Sequence, residues 1–193
     1  MAADGLVGRT LLDGEALRRT IARIAHEIVE GNSDLSRVAL VGIHTRGVPI
    51  AQRLRRLIGE FAEVEPHFGT IDITFHRDDL HVQADGTTPI VQPVVKATKL
   101  DFQLEGATCV LVDDVMYTGR TARAAIETLF SYGRPARVQL ACIADRGHRE
   151  LPIRPDYVGK NLPTSRGERI YVQLMEIDEI DGVVLVREEG DNA

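Results

Sequence analysis

The sequence is poor in cysteine, has no tryptophan and contains no long apolar run. Its two cysteines, Cys109 and Cys142, lie within short apolar segments, so we expect buried reduced thiols rather than a disulfide or a zinc site. No apolar run approaches the ~18 residues of a membrane span. The first nine residues lack the charged and apolar regions of a signal peptide. We therefore expect a cytoplasmic protein that does not bind membranes.

Basic residues are fewer than acidic ones. The 23 lysine and arginine residues are outnumbered by 29 aspartate and glutamate residues, which gives a formal net charge of −6. This balance excludes a bulk attraction to nucleic acid, so any RNA binding requires a local basic patch. With 44% hydrophobic residues, the composition fits one domain over residues 1–193 with a sizeable core.

The stretch from Cys109 to Ala122 has the most specific pattern in the chain. An apolar run ends in two adjacent carboxylates, Asp113 and Asp114, and a Thr-Gly-Arg-Thr turn then opens a helical pattern. We predict a buried strand of a parallel sheet, a loop and a helix with one buried face. The residues predicted on that face are Ala122, Ala125, Ile126, Leu129 and Phe130.

The chemistry of this stretch favours a ribose 5-phosphate ligand. Ligands of open α/β sheets bind at the carboxyl ends of the strands, where Asp113 and Asp114 are expected. The turn from Thr118 to Thr121 offers free helix N–H groups, two hydroxyls and a glycine, which suit a phosphate monoester. Two carboxylates can accept hydrogen bonds from a ribose diol. The alternative is that the acid pair only ends a strand and caps a helix.

Helical and strand patterns alternate through the rest of the chain. An amphipathic helix is predicted from the cap Asp13 to about Glu30. The further predicted strands are 38–43, 67–75, 138–144, 170–177 and 183–186. Such alternation predicts an α/β fold with a mainly parallel central sheet flanked by helices on both faces.

A second anion site is possible one strand earlier. Thr45, Arg46 and Gly47 follow the strand 38–43, and Pro49 suits the first turn of the next helix. Backbone amides and the arginine fork could bind a phosphate-sized anion there. An ordinary turn is the alternative interpretation of these three residues.

A polar segment between two strand-like pieces predicts a lid. The segment from His76 through Gln92 is long for a compact domain, and such segments are usually functional or disordered. Together with its flanking pieces it predicts a flexible hairpin over about residues 72–102, which can close over a site and exclude water. For Arg77 and Asp78, the alternative is a charged hairpin tip without a role.

The central stretch resembles the phosphoribosyl pyrophosphate signature of the type I phosphoribosyltransferases. Other segments are similar to the bifunctional pyrimidine operon attenuators and uracil phosphoribosyltransferases of bacteria, and the similarity runs from about Leu12 to Val186. These segments are 23–27, 71–74, 77–80, 145–154 and 158–165. Gly31 and His76 depart from that family's pattern. The resemblance implies the type I phosphoribosyltransferase fold, with a small hood over about residues 145–186.

The resemblance also implies a reaction. Uracil and phosphoribosyl pyrophosphate would give uridine monophosphate (UMP) and pyrophosphate, with Mg²⁺ held by the substrate rather than by direct protein ligands. The implied catalytic residues are Arg46, Asp113, Asp114, Arg77 and Asp78. The implied substrate-binding residues are Thr45, Arg46, Gly47, Val115, Met116, Tyr117, Thr118, Gly119, Arg120, Thr121, Asp145 and Val158.

Regulation is the second implied function. The protein would bind pyrimidine-operon messenger RNA in response to uridine nucleotides, and it would form a homo-oligomer, either a dimer or a tetramer. The candidate RNA contacts are Arg18, Arg19, Arg23, His26, Arg146 and Arg149. Arginine stacking reads RNA loops, so a small patch suffices, although a solvated helix face is the alternative. Two other functions remain open: an RNA-binding regulator that uses the nucleotide pocket only as a sensor, and a purine phosphoribosyltransferase without an RNA role.

Overall fold

A five-stranded, entirely parallel sheet forms the centre of the computed structural model, which describes residues 8–74 and 97–187. In spatial order its strands are β3 (His67–Ile71), β2 (Val38–Ile43), β4 (Thr108–Met116), β5 (Arg137–Asp145) and β6 (Tyr157–Asn161). All six residues of β2 are buried, as expected for a strand covered on both faces. The predicted parallel sheet is confirmed.

Helices cover both faces of this sheet. They are α1 (Gly14–Gly31), α2 (Gly47–Ala62), α3 (Arg120–Tyr132) and the short α4 (Met175–Asp178). The apolar stripes of α1 and α2 pack on one face, against Val110 and Val112, whereas α3 packs on the other, against Cys109 and Leu111. Asp13 caps α1 as predicted, since its Oδ1 accepts a hydrogen bond from Ala16 N at 2.7 Å.

Both cysteines are buried and free, as predicted. Burial raises the pKa of Cys109 to about 12, and burial, followed by the negative charges of Asp145 and Asp113, also raises the pKa of Cys142. Neither thiol is therefore activated as a nucleophile. Within the described ranges, no helix is long and apolar enough to cross a membrane.

A second sheet packs beside the first. Its three antiparallel strands are ordered β1 (Arg9–Leu12), β8 (Gly182–Arg187) and β7 (Glu168–Gln173). The segment predicted as the hood, 145–186, contributes β6 to the central sheet and β7 with most of β8 to the second one. Sequence patterning missed β1, because only its last residue, Leu12, is buried.

Several predicted boundaries are wrong. The strand predicted over 67–75 ends at Ile71, because the Asp72 carboxylate accepts hydrogen bonds from Thr74 and forms a turn. The strand predicted over 170–177 ends at Gln173 and is followed by α4. Phe130, predicted on the buried face of α3, is 49% exposed, because the core cluster on that face takes in Leu129 and the small residues of α3 instead.

Candidate active site

The acid pair lies inside β4 near its carboxyl end, with Asp113 at the sixth and Asp114 at the seventh of its nine residues. Asp113 Oδ1 accepts a hydrogen bond from Asp114 N at 2.9 Å, and Asp114 Oδ1 accepts one from Val115 N at 2.8 Å. Desolvation raises the pKa of Asp114, although hydrogen bonding with Asp113 and the positive charge of Arg46 act in the opposite direction. Two partly buried carboxyl groups therefore stand at the carboxyl end of a central strand, where ligands of parallel sheets bind.

The predicted anion loop lies against this pair because two glycines allow close packing. A Cβ on Gly47 would lie only 2.1 Å from Val112 O, and one on Gly42 would lie 2.5 Å from Val48 Cα. These contacts press the start of α2 against β2 and β4. The peptide bond between His44 and Thr45 is cis. The loop before α2 is therefore held beside the carboxyl end of β4.

A cavity of about 270 Å³ lies between these elements. It brings together six of the residues that sequence analysis assigned to catalysis or substrate binding, from two separate strand–loop–helix units. The lining residues are His44, Thr45, Arg46, Ile73, Asp113, Asp114, Val115 and Thr121. Two carboxyl groups, two threonines and the loop before α2 thus line a space suited to a phosphorylated sugar.

The Arg46 guanidinium is already engaged by the protein. Its Nε donates to Val172 O at 2.8 Å, and its Nη2 donates to Asp178 Oδ1 at 2.7 Å. Sequence analysis assigned this fork to pyrophosphate, but the structure directs two of its nitrogens toward the second sheet. An anion in the cavity would therefore mainly meet the backbone of the loop. Sequence reasoning missed Asp178, which no local pattern distinguishes from its acidic neighbours.

The second predicted loop leads into α3 through a glycine in the left-handed region. Gly119 has φ of +98°, and Arg120 N donates to Thr118 Oγ1 at 3.3 Å. Glu150 N and Leu151 N both donate to Thr118 O, at 3.0 and 3.1 Å, which fixes the loop from its far side. The first N–H groups of α3 lie at the end of this turn, as an anion site at a helix N-terminus requires.

A larger cavity, of about 470 Å³, lies at the carboxyl ends of β5 and β6. Asp145 and Val158, both assigned to substrate, line it. Tyr117 connects this region to the phosphate loop, because the Arg146 guanidinium lies 4.1 Å from its ring centroid and Arg149 Nη1 donates to its carbonyl at 2.7 Å. The structure therefore joins the predicted phosphate and base regions through one aromatic residue.

Two candidate RNA contacts are used inside the protein. Arg146 is only 8% exposed and donates to Thr164 Oγ1 at 3.0 Å and to Glu168 O. Arg149 donates to Ile153 O at 2.9 Å and pairs with Asp145, besides its bond to Tyr117. The sequence shows that both residues are charged, but it does not show which groups their N–H donors bind. Both guanidinium groups support the substrate region rather than an exposed surface.

The other candidates lie on the exposed side of α1. Arg19 pairs with Glu15 and Arg23 pairs with Glu27, while the His26 ring stacks on Phe61 at 3.9 Å. A cavity of about 340 Å³ beside this helix is lined in part by Arg19 and Arg23 and also by Lys160 of β6, which sequence reasoning did not include. These three basic residues therefore line one cavity on the surface beside α1.

Arg23 also reaches the edge of the central sheet. Its Nη2 donates to Val158 O at 2.9 Å and to Gly159 O. Two further predicted residues, Arg77 and Asp78, lie outside the described residues, as does most of the predicted lid. At the base of the predicted lid, the backbones of Thr70 and Lys99 form two antiparallel hydrogen bonds of 2.8 Å. Among the residues described, no three His, Cys, Asp or Glu side chains form a group that could hold a metal ion.

Comparisons with known proteins agree with this geometry. The model of the phosphoribosyl transferase domain family matches residues 8–172. The "Bifunctional protein PyrR" of Roseiflexus sp. (strain RS-1) is 53% identical over 180 residues, which cover 93% of this chain and 95% of the relative. The protein of the same name from Clostridioides difficile (strain 630) is 53% identical over 175 residues, covering 91% and 96%.

Solved structures confirm the fold. A hypoxanthine phosphoribosyltransferase of Trypanosoma cruzi superposes with a TM-score of 0.68 and covers 94% of this chain and 97% of its own, at 18% sequence identity. At that identity the likeness concerns the fold alone. The architecture is thus the type I phosphoribosyltransferase fold that the sequence predicted. The chain belongs to the phosphoribosyl transferase domain family and, within it, to the bifunctional PyrR proteins.

Proposed function

We propose that the chain transfers the ribose 5-phosphate group of phosphoribosyl pyrophosphate to uracil, which gives UMP and pyrophosphate. The observation that carries this proposal is the cavity where the loop of Thr45 and Arg46 faces Asp113 and Asp114, beside the helix turn at Thr121. Relatives named bifunctional protein PyrR align over almost the whole chain, and this supports a uracil substrate over a purine.

Each part of the cavity has a role in this reaction. The turn from Thr118 to Thr121 binds the 5-phosphate, and this binding energy, remote from the reacting carbon, fixes its position. Asp113 and Asp114 accept hydrogen bonds from the ribose hydroxyls. Their negative charge also stabilises the positive charge that grows on the sugar ring as the leaving group departs. The loop of residues 45–47 binds the departing pyrophosphate through its backbone.

The base is placed in the larger cavity. Asp145 and Val158 line it, and Val158 O already accepts a hydrogen bond from Arg23. We therefore assign uracil recognition to neighbouring main-chain groups of this segment and to the Tyr117 region, which is rigidified by Arg146 and Arg149.

Phosphoribosyltransferases in general use Mg²⁺ with phosphoribosyl pyrophosphate. The oxygen-rich acid pair fits such a hard cation, while no described group of three side chains forms a cage for it. We therefore propose that the substrate's own oxygens hold most of the Mg²⁺ coordination, with Asp113 and Asp114 nearby. When bound, the ion offsets the charge of the leaving pyrophosphate.

The chain also binds pyrimidine-operon RNA in this proposal, under the control of uridine nucleotides. Arg18, Arg19, Arg23 and His26 of α1 form the candidate surface, and the structure adds Lys160 to it. Arg146 and Arg149 are left out because they are only 8% and 20% exposed, whereas the Arg23 side chain is 47% exposed. A single domain over 1–193, the lid with Arg77 and Asp78, a homo-oligomer and a cytoplasmic location stay predictions.

Pyrophosphate release tests the enzymatic proposal. The chain is supplied with Mg²⁺ and phosphoribosyl pyrophosphate, and uracil, hypoxanthine, guanine, adenine and orotate are offered in turn. We expect turnover with uracil alone, reduced about 30-fold in Asp114→Asn because a hydrogen bond to a charged group is lost. Turnover with a purine would replace the substrate assignment. Tight UMP binding without turnover on any base would favour the sensor-only regulator.

RNA binding is tested separately on the α1 surface. Lys160→Glu is expected to weaken binding of pyrimidine-operon leader RNA about tenfold and to lower its salt dependence, because a phosphate contact is lost. Arg56→Glu, an exposed charge reversal on α2, serves as the matched control. Equal weakening in both variants would show that only net charge matters and would remove this surface from the proposal.

A further inference from the structure

Arg46 links the loop before α2 to β7 and α4, and the acidic end of this link, Asp178 of α4, is nearly buried. The Asp178 side chain is 2% exposed and that of Arg46 is 29% exposed. Both Asp178 oxygens accept hydrogen bonds, Oδ1 from Arg46 Nη2 at 2.7 Å and Oδ2 from Leu174 N at 3.0 Å. A carboxylate so enclosed is stable only because it is paired and hydrogen-bonded. Asp178 therefore fixes where the Arg46 guanidinium lies.

The position of that guanidinium determines the position of the loop. Arg46 is the residue directly before α2, and no side chain caps this helix N-terminus. On its carboxyl-terminal side the loop is held by the contact of Gly47 with Val112 O. On its other side it is held by the two Arg46 bonds, to Val172 O and to Asp178. The backbone N–H groups of residues 45–47 are thus constrained from two directions.

A second arginine link joins the same two elements without touching the cavity. Arg53, two helical turns further along α2, donates through Nε to Glu176 Oε1 at 2.9 Å and through Nη2 to Asp181 Oδ1 at 2.7 Å. The hydrogen bond from Arg53 lowers the pKa of Glu176. This pair stabilises the contact of α2 with the α4 region but has no loop to orient.

We infer that Asp178 is a positioning residue for the pyrophosphate loop: by holding Arg46, it keeps the backbone N–H groups of residues 45–47 directed at the anion. This inference rests on the proposed function. Asp178 acts through Arg46 and does not itself contact the substrate. The contact between the second sheet and the loop then becomes part of the substrate site, whereas the link through Arg53 is structural only.

Asp178→Asn and Glu176→Gln separate these two roles. The asparagine keeps an acceptor for Leu174 N but loses the charge that holds Arg46. We expect the KM for phosphoribosyl pyrophosphate and the calorimetric Kd for pyrophosphate to rise about tenfold in Asp178→Asn, since a charge-assisted hydrogen bond is lost. UMP has no pyrophosphate group and does not use the altered contact. Its Kd is therefore expected to stay within about twofold of the value for the unmodified chain.

Glu176→Gln is expected to lower the thermal midpoint only slightly, because the carboxylate of Glu176 is partly exposed. KM and both Kd values are expected to stay within about twofold, because the link through Arg53 does not touch the cavity. Unchanged pyrophosphate affinity in Asp178→Asn would overturn the inference. An equal loss of UMP and pyrophosphate affinity in Asp178→Asn would also overturn it, because such a loss would indicate that the whole site has loosened.

A conservative variant covers the case in which Asp178→Asn does not fold. Asp178→Glu keeps the charge but moves it by one methylene, and we expect a rise of about threefold in the KM for phosphoribosyl pyrophosphate from the weakened bond. No rise would overturn the inference. If the unmodified chain bound neither pyrophosphate nor UMP, the proposed function would fail first and the inference with it. Binding of both ligands with no effect of Asp178 would remove the inference alone.

Discussion

The two strand–loop–helix units of the central sheet share a plan but differ in what holds their loops. In each, three residues separate strand from helix, 44–46 between β2 and α2 and 117–119 between β4 and α3. The first loop is fixed by a packing contact, the approach of Gly47 to Val112 O. The second depends on backbone conformation, because Gly119 has φ of +98°. Similar topology thus places two loops at one cavity by different physical means.

The strands before the loops explain the difference in chemistry. All six residues of β2 are buried, and the strand ends in apolar Ile43. β4 is longer, with nine residues, and Asp113 and Asp114 near its carboxyl end are only partly buried. The first unit therefore supplies mainly backbone donors to an anion. In the proposed function, the second supplies carboxylates for the ribose hydroxyl groups and a helix turn for the 5-phosphate, so the two units together are proposed to bind three parts of the substrate.

Gly47→Ala is expected to have the largest effect, because the first loop has no room for a Cβ. The added atom would lie 2.1 Å from Val112 O, so α2 must move away from β4. We expect the free energy of unfolding to fall by about 3 kcal/mol, the upper range for overpacking, measured by urea denaturation. If the variant were as stable as the unmodified chain, the contact would not be what holds this loop.

Asp114→Asn removes a carboxylate that only the second unit has. We expect kcat/KM for phosphoribosyl pyrophosphate to fall about 30-fold, because a hydrogen bond from a ribose hydroxyl to a charged group becomes a neutral one. Steady-state pyrophosphate release measures the effect. Glu60→Gln, an exposed acid on α2, is the control and should retain full activity. Equal activity of the two variants would argue against a role of the acid pair in binding ribose.

Gly119→Ala is expected to lower the free energy of unfolding by less than Gly47→Ala does, because it strains the backbone conformation rather than the packing. Its Cβ would meet Leu151 Cβ at 3.3 Å, a tight but tolerable contact, while the left-handed conformation costs about 1.5 kcal/mol for an L-residue. Gly119→Asn should cost less than Gly119→Ala, since asparagine tolerates positive φ better. The free energies of unfolding of both variants test this order. If asparagine were the more damaging, contact with Leu151 would dominate in the second loop as well.

The fold was predictable because the apolar runs are unambiguous. Continuous runs such as Val38–Ile43 predict strands buried on both faces, and the structure has them in a parallel sheet. β1 was not predictable, because its first residues are exposed and it is stabilised by pairing with β8, which lies at the other end of the chain. A strand specified by a distant partner leaves little periodicity in its own sequence.

The candidate site was predictable to the extent that local sequence determines it. The pattern around Asp113 and Asp114 identified a strand end and a helix turn, and the structure brings both to one cavity. What the sequence could not show is how the donors of arginine side chains are distributed. Arg46 and Arg146 bind groups far away in the chain, Asp178 and Thr164 among them. Such pairings arise from tertiary packing and leave no local pattern. The sequence analysis therefore assigned both arginines to ligands from their charge alone.

The smallest predicted effect concerns the stability cost of the acid pair. Desolvation raises the pKa of Asp114, so folding favours its protonated form. This contribution to stability is fully present below the pKa of an unfolded aspartate, about 3.9, and is lost as pH rises through the raised folded value. Near neutral pH the Asp114 carboxyl therefore stabilises the fold less than it does at acidic pH, and Asp114→Asn removes this loss while keeping an acceptor for Val115 N.

We therefore expect Asp114→Asn to have a thermal midpoint about 2 °C above that of the unmodified chain at pH 7, which corresponds to about 0.5–1 kcal/mol for a chain of this size. The difference should shrink as pH falls toward about 4, where the aspartate regains its proton. Calorimetric scans from pH 4 to pH 8 measure it, with Glu60→Gln expected to show no such trend. A variant less stable at pH 7 than at pH 4, relative to the unmodified chain, would mean that hydrogen bonds to the ionised Asp114 outweigh its desolvation. In that case the carboxylates of the β4–α3 unit would not reduce the stability of the fold, and the two units would be alike in this respect.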